Sequence, residues 1–269
     1  MEQPSLDESK SNTESITRTF ELISESYQMQ MPSLQNVFRS ATELMRIATP
    51  KIALSQIQFP QPILPNIDWS DFYERFADEC KSNAKYGWCL SSKMSFSMYR
   101  EIARTEDRQE VRDALFAELF ENKDSELYIA EKIFIITQSS DNWKGFYEEC
   151  FQSFENGLYK PIIPALVSSI EHEISINFES NAIGGRLIKV ADQSIKEKYG
   201  PQGIAYIMGA SVISLLENGV FKGDDFTQYR QPLLNRNRVL HGRDDPESWS
   251  KVDVYKLMSI ISSIKMFSL

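Results

Sequence analysis

From Phe72 to Phe267 apolar residues return at spacings of three and four, while period-two alternation flanked by turn signals is scarce. Residues three and four apart share one face of a helix, whereas a half-buried strand needs every second residue apolar. The pattern therefore predicts an all-α chain folded as a helical bundle. The helical windows are Phe96 to Ala103, Val111 to Phe120, Leu127 to Ile136, Trp143 to Phe154, Leu158 to Phe178, Leu187 to Tyr199, Ile204 to Leu216, Pro232 to His241 and Ser250 to Phe267. The run Ile133-Phe134-Ile135-Ile136 would suit a buried strand, but its surroundings read as helix.

Punctuation divides the chain. Residues 1–15 are polar and charged and read as a disordered tail. Helical spacing runs from Ile16 to Ile47, interrupted at Pro32. Pro50, Pro60, Pro62 and Pro65 then fall within sixteen residues, which no helix tolerates, so 49–67 reads as an extended connector packed through Ile57, Phe59, Ile63 and Leu64. Asp68-Trp69-Ser70-Asp71 reads as a capping segment before Phe72, Phe76 and Cys80. A soft boundary near 140–157 separates a helical N-terminal region, 16–140, from a C-terminal helical domain, 141–269.

Composition narrows the chemistry. Against 38 Asp and Glu stand 29 Lys and Arg, a net charge of -9, so any nucleic-acid contact is a local basic patch. The three cysteines, Cys80, Cys89 and Cys150, form no C-x-x-C pair, and the only histidines are His172 and His241, so neither a disulfide framework nor a metal site is expected. The acidic, polar N-terminal residues do not read as a signal peptide, and no run approaches the roughly 18 apolar residues of a membrane span, so a cytoplasmic location is the default expectation.

One segment stands apart: Leu233-Leu234-Asn235-Arg236-Asn237-Arg238-Val239-Leu240-His241-Gly242-Arg243. Between Phe226 and Arg243 the acids are absent and four arginines occur, Arg230, Arg236, Arg238 and Arg243. The guanidinium fork matches phosphate oxygens, and histidine exchanges a proton near neutral pH. Together they supply what metal-free phosphodiester cleavage needs. Pro232 suits the first turn of a helix and Gly242 the position past its end, which puts His241 in the last turn, where the helix dipole favours the imidazolium. Asn237, four residues earlier, lies on the same face and is expected to orient the ring. Arg236 and His241 diverge by roughly 140° on a straight helix, so either the arginine wraps around or a second copy in a two-fold dimer completes the site. The residues alone also permit a solvated face with a favourable C-terminal cation.

Arg236-Asn237-x-x-x-His241 resembles the R-N-x-x-x-H motif of the HEPN superfamily (higher eukaryotes and prokaryotes nucleotide-binding), whose active members are metal-independent ribonucleases. The wider string from Leu234 to Gly242 is similar to a bacterial group with an NR[HN]xxLHG signature. Tyr86-Gly87-Trp88 resembles that group's GW element, and Tyr159, Ile163-Pro164-Ala165-Leu166 and Ile170-Glu171 resemble its Y…IPxL…IE helix, although His172 stands where the group commonly has Gly. The resemblance covers about the last 120 residues, with Trp88 a weaker echo and residues 1–70 outside it.

The resemblance implies an all-α bundle with a HEPN-like C-terminal domain that dimerises through the motif helix. It implies attack of the ribose 2′-hydroxyl on the adjacent phosphate, with His241 moving the proton, Arg236 stabilising the transition state, and Asn237 orienting His241 or touching phosphate. Glu171 would either hold Arg236 or be an ordinary helix residue with a partner, with Arg230, Arg238 and Arg243 in supporting or RNA-binding places and no cofactor. Implied partners are RNA, a second copy and an antitoxin or regulatory protein, in a toxin or antiphage (abortive-infection) setting. The alternative is a catalytically silent HEPN-like module that binds a partner protein or a nucleotide. Other features carry less: Glu171-His172-Glu173 point in different directions on a helix, Gly184-Gly185 lacks the strand-loop-helix context of a phosphate loop, Asp224-Asp225 and Asp244-Asp245 read as capping or loop acids, and Trp143, Phe146, Tyr147, Phe151 and Phe154 read as core.

Overall fold

The computed structural model describes residues 70–122, 126–200, 203–223, 226 and 233–267. The expectations for residues 1–69, including the tail, the first helical stretch and the proline connector, fall outside these, as do Arg230, Pro232, Asp224 and Asp225. Every regular element among the described residues is helical. In chain order they are α1 (Ser70–Ala84), α2 (Phe96–Ala103), α3 (Gln109–Glu121), α4 (Leu127–Thr137), α5 (Asp141–Glu155), α6 (Tyr159–Asn177), α7 (Gly185–Tyr199), α8 (Ile204–Leu215), α9 (Arg236–Leu240) and α10 (Lys251–Lys265). A π-turn, Leu216–Val220, extends α8, and a 3₁₀ turn, Pro246–Ser248, precedes α10. None of these helices is long and apolar enough to cross a membrane.

The helical spacing read from the sequence is borne out element by element, and Ile133–Ile136 lies in α4. The exception is the motif segment. Read as a helix from about Pro232 to His241, it is a helix of only five residues, Arg236–Leu240. Asn235 sets its start, because its side-chain oxygen accepts hydrogen bonds from the amides of Asn237 (2.9 Å) and Arg238 (3.2 Å).

Packing does not change at the boundary expected near 140–157; residues 68–269 form one unit. The reason is α10, which packs against α3, α4, α6 and α8. Every residue from Asp253 to Lys265 is buried. Phe120 of α3, itself beside the stacked pair Trp88 and Phe116 (4.5 Å), stacks on Tyr255 of α10 with ring centroids 4.8 Å apart, so residues from both sides of the expected boundary share one core. The aromatic run on α5 belongs to it as read: Tyr147 and Phe151 are buried, with Trp143, Phe146 and Phe154 packed against them.

A helix buried all round must satisfy its polar groups within the protein. The Lys256 ammonium meets the Asp113 carboxylate of α3 at 2.8 Å, the Lys265 ammonium meets Glu173 of α6 at 2.7 Å, and the Ser262 hydroxyl donates to Glu131 of α4. Tyr147 also donates to Glu173 (2.8 Å), and Lys93 donates its amide to Glu131 (2.7 Å). Burial pushes the Glu131 carboxyl above, and the Lys265 ammonium below, their ordinary values. The GW element joins the same network, because the Trp88 indole N–H donates to Asp113 (2.8 Å).

Gly87 lies between this scaffold and the motif. Its φ is +88°, and a Cβ there would stand 2.8 Å from Cδ2 of Leu233 and 3.1 Å from Cδ of Lys256. Gly87→Ala is therefore expected to cost about 1–3 kcal/mol through backbone strain and overpacking. Denaturant unfolding checks this. The loss in Gly87→Ala plus Leu233→Ala should be smaller than the sum of the single losses, since the second change removes the clashing methyl.

Candidate active site

The motif sits on a short helix closed at both ends. Asn235 caps the start and also donates its amide nitrogen to the carbonyls of Lys222 (2.8 Å) and Gly219 (3.4 Å), which ties α9 to the turn after α8. At the other end Gly242 adopts φ +62°. Its amide donates to Val239 O (3.3 Å) and the Arg243 amide donates to Arg238 O (2.7 Å), the paired bonds of a Schellman turn. Glycine is needed there because a Cβ disfavours that backbone region. His241 is the C-cap residue, exposed, and its ring lies edge-on to the exposed Phe226 with centroids 6.2 Å apart.

Arg236 is held firmly. Its Nε (3.2 Å) and Nη2 (2.8 Å) donate to Oε2 of Glu171, and its Nη1 donates to the Asn237 side-chain oxygen (3.1 Å). The guanidinium is 25% and the carboxylate 18% exposed, so the pair is half-buried but open to solvent on one side. Glu171 thus holds Arg236, one of the two roles the sequence leaves open for it. Its other oxygen, Oε1, accepts the Gly184 amide (2.7 Å). The residues that precede Glu171 on α6 explain its position: Ile163, Leu166 and Ile170 face the core, which leaves the next side chain at its edge.

Two expectations are corrected. Asn237 was expected to orient the His241 ring; its side chain instead braces Arg236, and only its backbone carbonyl meets the His241 amide (3.0 Å). The cause is Arg236, whose Nη1 donates to the Asn237 side-chain oxygen and so takes that acceptor. Arg238 was placed among the RNA-contacting residues, but it is 5% exposed and turned toward the core with Val239. Arg243 is exposed beyond the Schellman turn, as that role needs.

The other titratable groups singled out in the sequence serve packing and capping. His172 stacks on Trp143 (centroids 3.8 Å), and burial, helped by Lys265, lowers its basicity. Asp244 accepts the Trp249 indole N–H (2.8 Å) and Asp245 caps the Glu247 amide (3.0 Å), both as read. Among the described residues no group of three or more His, Cys, Asp or Glu is placed to hold a metal ion. The three cysteines are buried and free, and burial pushes the thiols up, to about 12 for Cys80 and about 11 for Cys150.

The sequence reading missed residues beside the motif. Arg186 and Lys189, in the first turns of α7, and Lys222 are exposed, and hydrogen bonds through Gly184 and Asn235 join their segments to α9. The sequence signal for them is Gly184-Gly185-Arg186, a glycine pair and a cation at a helix start with no strand before it. Comparison with protein-family models, curated proteins and solved structures finds no match for this chain.

Gly242→Ala should destabilise the protein by about 1 kcal/mol, because alanine resists the left-handed conformation. For a folded unit of this size that is a fall of about 2–4 °C in melting temperature, measurable by calorimetry.

Proposed function

We propose that this protein is a metal-independent endoribonuclease of the HEPN type. The observation that carries the reading is the arrangement of Arg236 and His241. One is fixed by Glu171 and Asn237 with an edge open to solvent, and the other is exposed at the end of the same five-residue helix. In the proposed reaction the ribose 2′-oxygen forms a bond to the adjacent phosphorus and the bond to the 5′-oxygen breaks. A proton leaves the 2′-hydroxyl and one reaches the departing 5′-oxygen, with His241 as the general acid–base group. Arg236 stabilises the charge that builds on the phosphoryl oxygens. The products are a 2′,3′-cyclic phosphate and a 5′-hydroxyl, and DNA is resistant because it lacks the nucleophile. By analogy with that superfamily, the biological setting is a toxin or antiphage effector, restrained by an antitoxin or regulatory protein.

A homodimer belongs to the same proposal. Exposed Leu240 (38%) and Phe226 (45%) flank His241, an apolar rim suited to a two-fold contact that brings a second motif close. Light scattering at micromolar concentration should give about twice the 31 kDa chain mass; a monomer that still cleaves RNA counts against this part.

One observation favours a second reading, a silent module that binds a partner: Glu171 already offsets the charge of Arg236. Incubation with total RNA in excess chelator separates the two. Under the first reading the wild type cleaves, His241→Ala loses about 10²–10⁴-fold in rate with little loss of stability, and Arg236→Lys binds RNA but cleaves poorly. Cleavage that requires added magnesium or manganese, or an Arg236→Lys variant of full activity, overturns the nuclease mechanism.

A further inference from the structure

A cleft of about 360 Å³ is lined by Ile183 just before α7, by Arg186 and Lys189 in its first turns, and by Glu217 and Phe221 from the turn after α8. Both walls are attached to the motif. The α7 wall is tied through Gly184, whose amide rests on the same carboxylate that holds Arg236. The opposite wall is tied through Asn235, which donates to the carbonyls of Gly219 and Lys222 on either side of Phe221. The segments that line the cleft are therefore hydrogen-bonded to the residue that holds Arg236 and to the cap of its helix.

Its charge runs against that of the molecule. The chain carries -9, yet Arg186 and Lys189 on α7, Lys222 and Arg243 are exposed, and none of the ion pairs among the described residues engages Arg186 or Lys189. The first turn of α7 contains no acid, so its helix end adds to the positive field. The one acid in the lining is Glu217. Apolar walls with two cations suit a nucleotide unit, with a phosphate on the cations and a base or ribose against Ile183 and Phe221. The volume falls at the small end of the roughly 300–1,000 Å³ of small-ligand sites.

We infer that this cleft binds the strand that flanks the scissile phosphate, so that RNA runs from Arg186 and Lys189 across Arg236 toward Arg243. The inference rests on the ribonuclease reading for its substrate but is tested by binding alone. The probe is a short 5′-fluorescein 2′-O-methyl oligoribonucleotide, which lacks the attacking hydroxyl, followed by fluorescence anisotropy against salt. Cleavage of unmodified RNA is assayed in parallel. Arg186→Glu plus Lys189→Glu should weaken binding about tenfold or more and reduce the slope of log affinity against log salt by about 1.4, two single-strand phosphate contacts. Glu217→Gln should tighten binding by a fewfold, the opposite sign, which no loss of folding imitates. Lys81→Glu plus Arg108→Glu, exposed pair-forming cations on α1 and before α3, should leave it unchanged. If the wild type cleaves RNA while the α7 variant binds as tightly as wild type, the cleft assignment is overturned and the nuclease stands. If binding depends on Arg186 and Lys189 but wild type does not cleave, the cleft stands and the nuclease reading fails. A wild type that does not bind the probe overturns the cleft outright.

Discussion

A helix enclosed on every side must find partners for each polar group it carries, and α10 depends on this condition throughout. Apolar contact alone would let α10 slide or rotate among its neighbours, since Val, Leu and Ile pack interchangeably at modest cost. Lys256, Ser262 and Lys265 do not permit this. Each must meet its own acid, Asp113, Glu131 or Glu173, and those acids stand on three different helices. Removing one member would strand a buried charge, a loss of about 3–5 kcal/mol, far more than the pair contributes over an apolar replacement. The pairs therefore act chiefly on register, and they place α3, α4 and α6 around one axis.

The motif inherits its position from that axis. Lys256 presses its aliphatic stem against Gly87, Gly87 admits Leu233, and Leu233 leads into the Asn235 cap. On its other flank Arg236 is fixed by Glu171, which extends from the edge of the buried α6 face. A five-residue helix has almost no stability of its own, because one turn hardly repays nucleation. Its ends are closed locally by the cap and the Schellman turn, and it is tied to the larger fold by the Asn235 bonds to Gly219 and Lys222 and by the Glu171 pair. The arginine and the histidine are thus positioned by tertiary structure, with little contribution from helix propensity.

That dependence explains what could be read in advance. Long helices announce themselves through spacing, and α2, α5, α6 and α10 begin and end within a few residues of where the pattern puts them. Gly242 past the helix end and Glu171 beneath Arg236 were also legible, the first from backbone chemistry and the second from a motif resemblance. Helix length at the motif was not, because apolar spacing does not register an asparagine cap inside the run. Nor was the inward turn of Arg238, since an arginine in a polar string looks the same whether its side chain meets solvent or core. The split near residue 140 failed for a related reason. It followed composition along the chain, whereas the core is assembled by α10 from residues more than a hundred positions apart.

Every thiol of the chain lies inside this core, and that has a use. A thiol-specific reagent attacks the thiolate, and burial both covers the sulfur and suppresses ionisation at Cys80, Cys89 and Cys150. Alkylation then waits on transient opening of the packing, and its rate reports the free energy of that opening instead of intrinsic thiol reactivity. The three sites sample different places: α1, the stretch just after Trp88, and α5. Simultaneous labelling would mean the unit opens as a whole, whereas early labelling at Cys150 would mean α5 peels away while the helices that carry Arg236 and Glu171 remain closed.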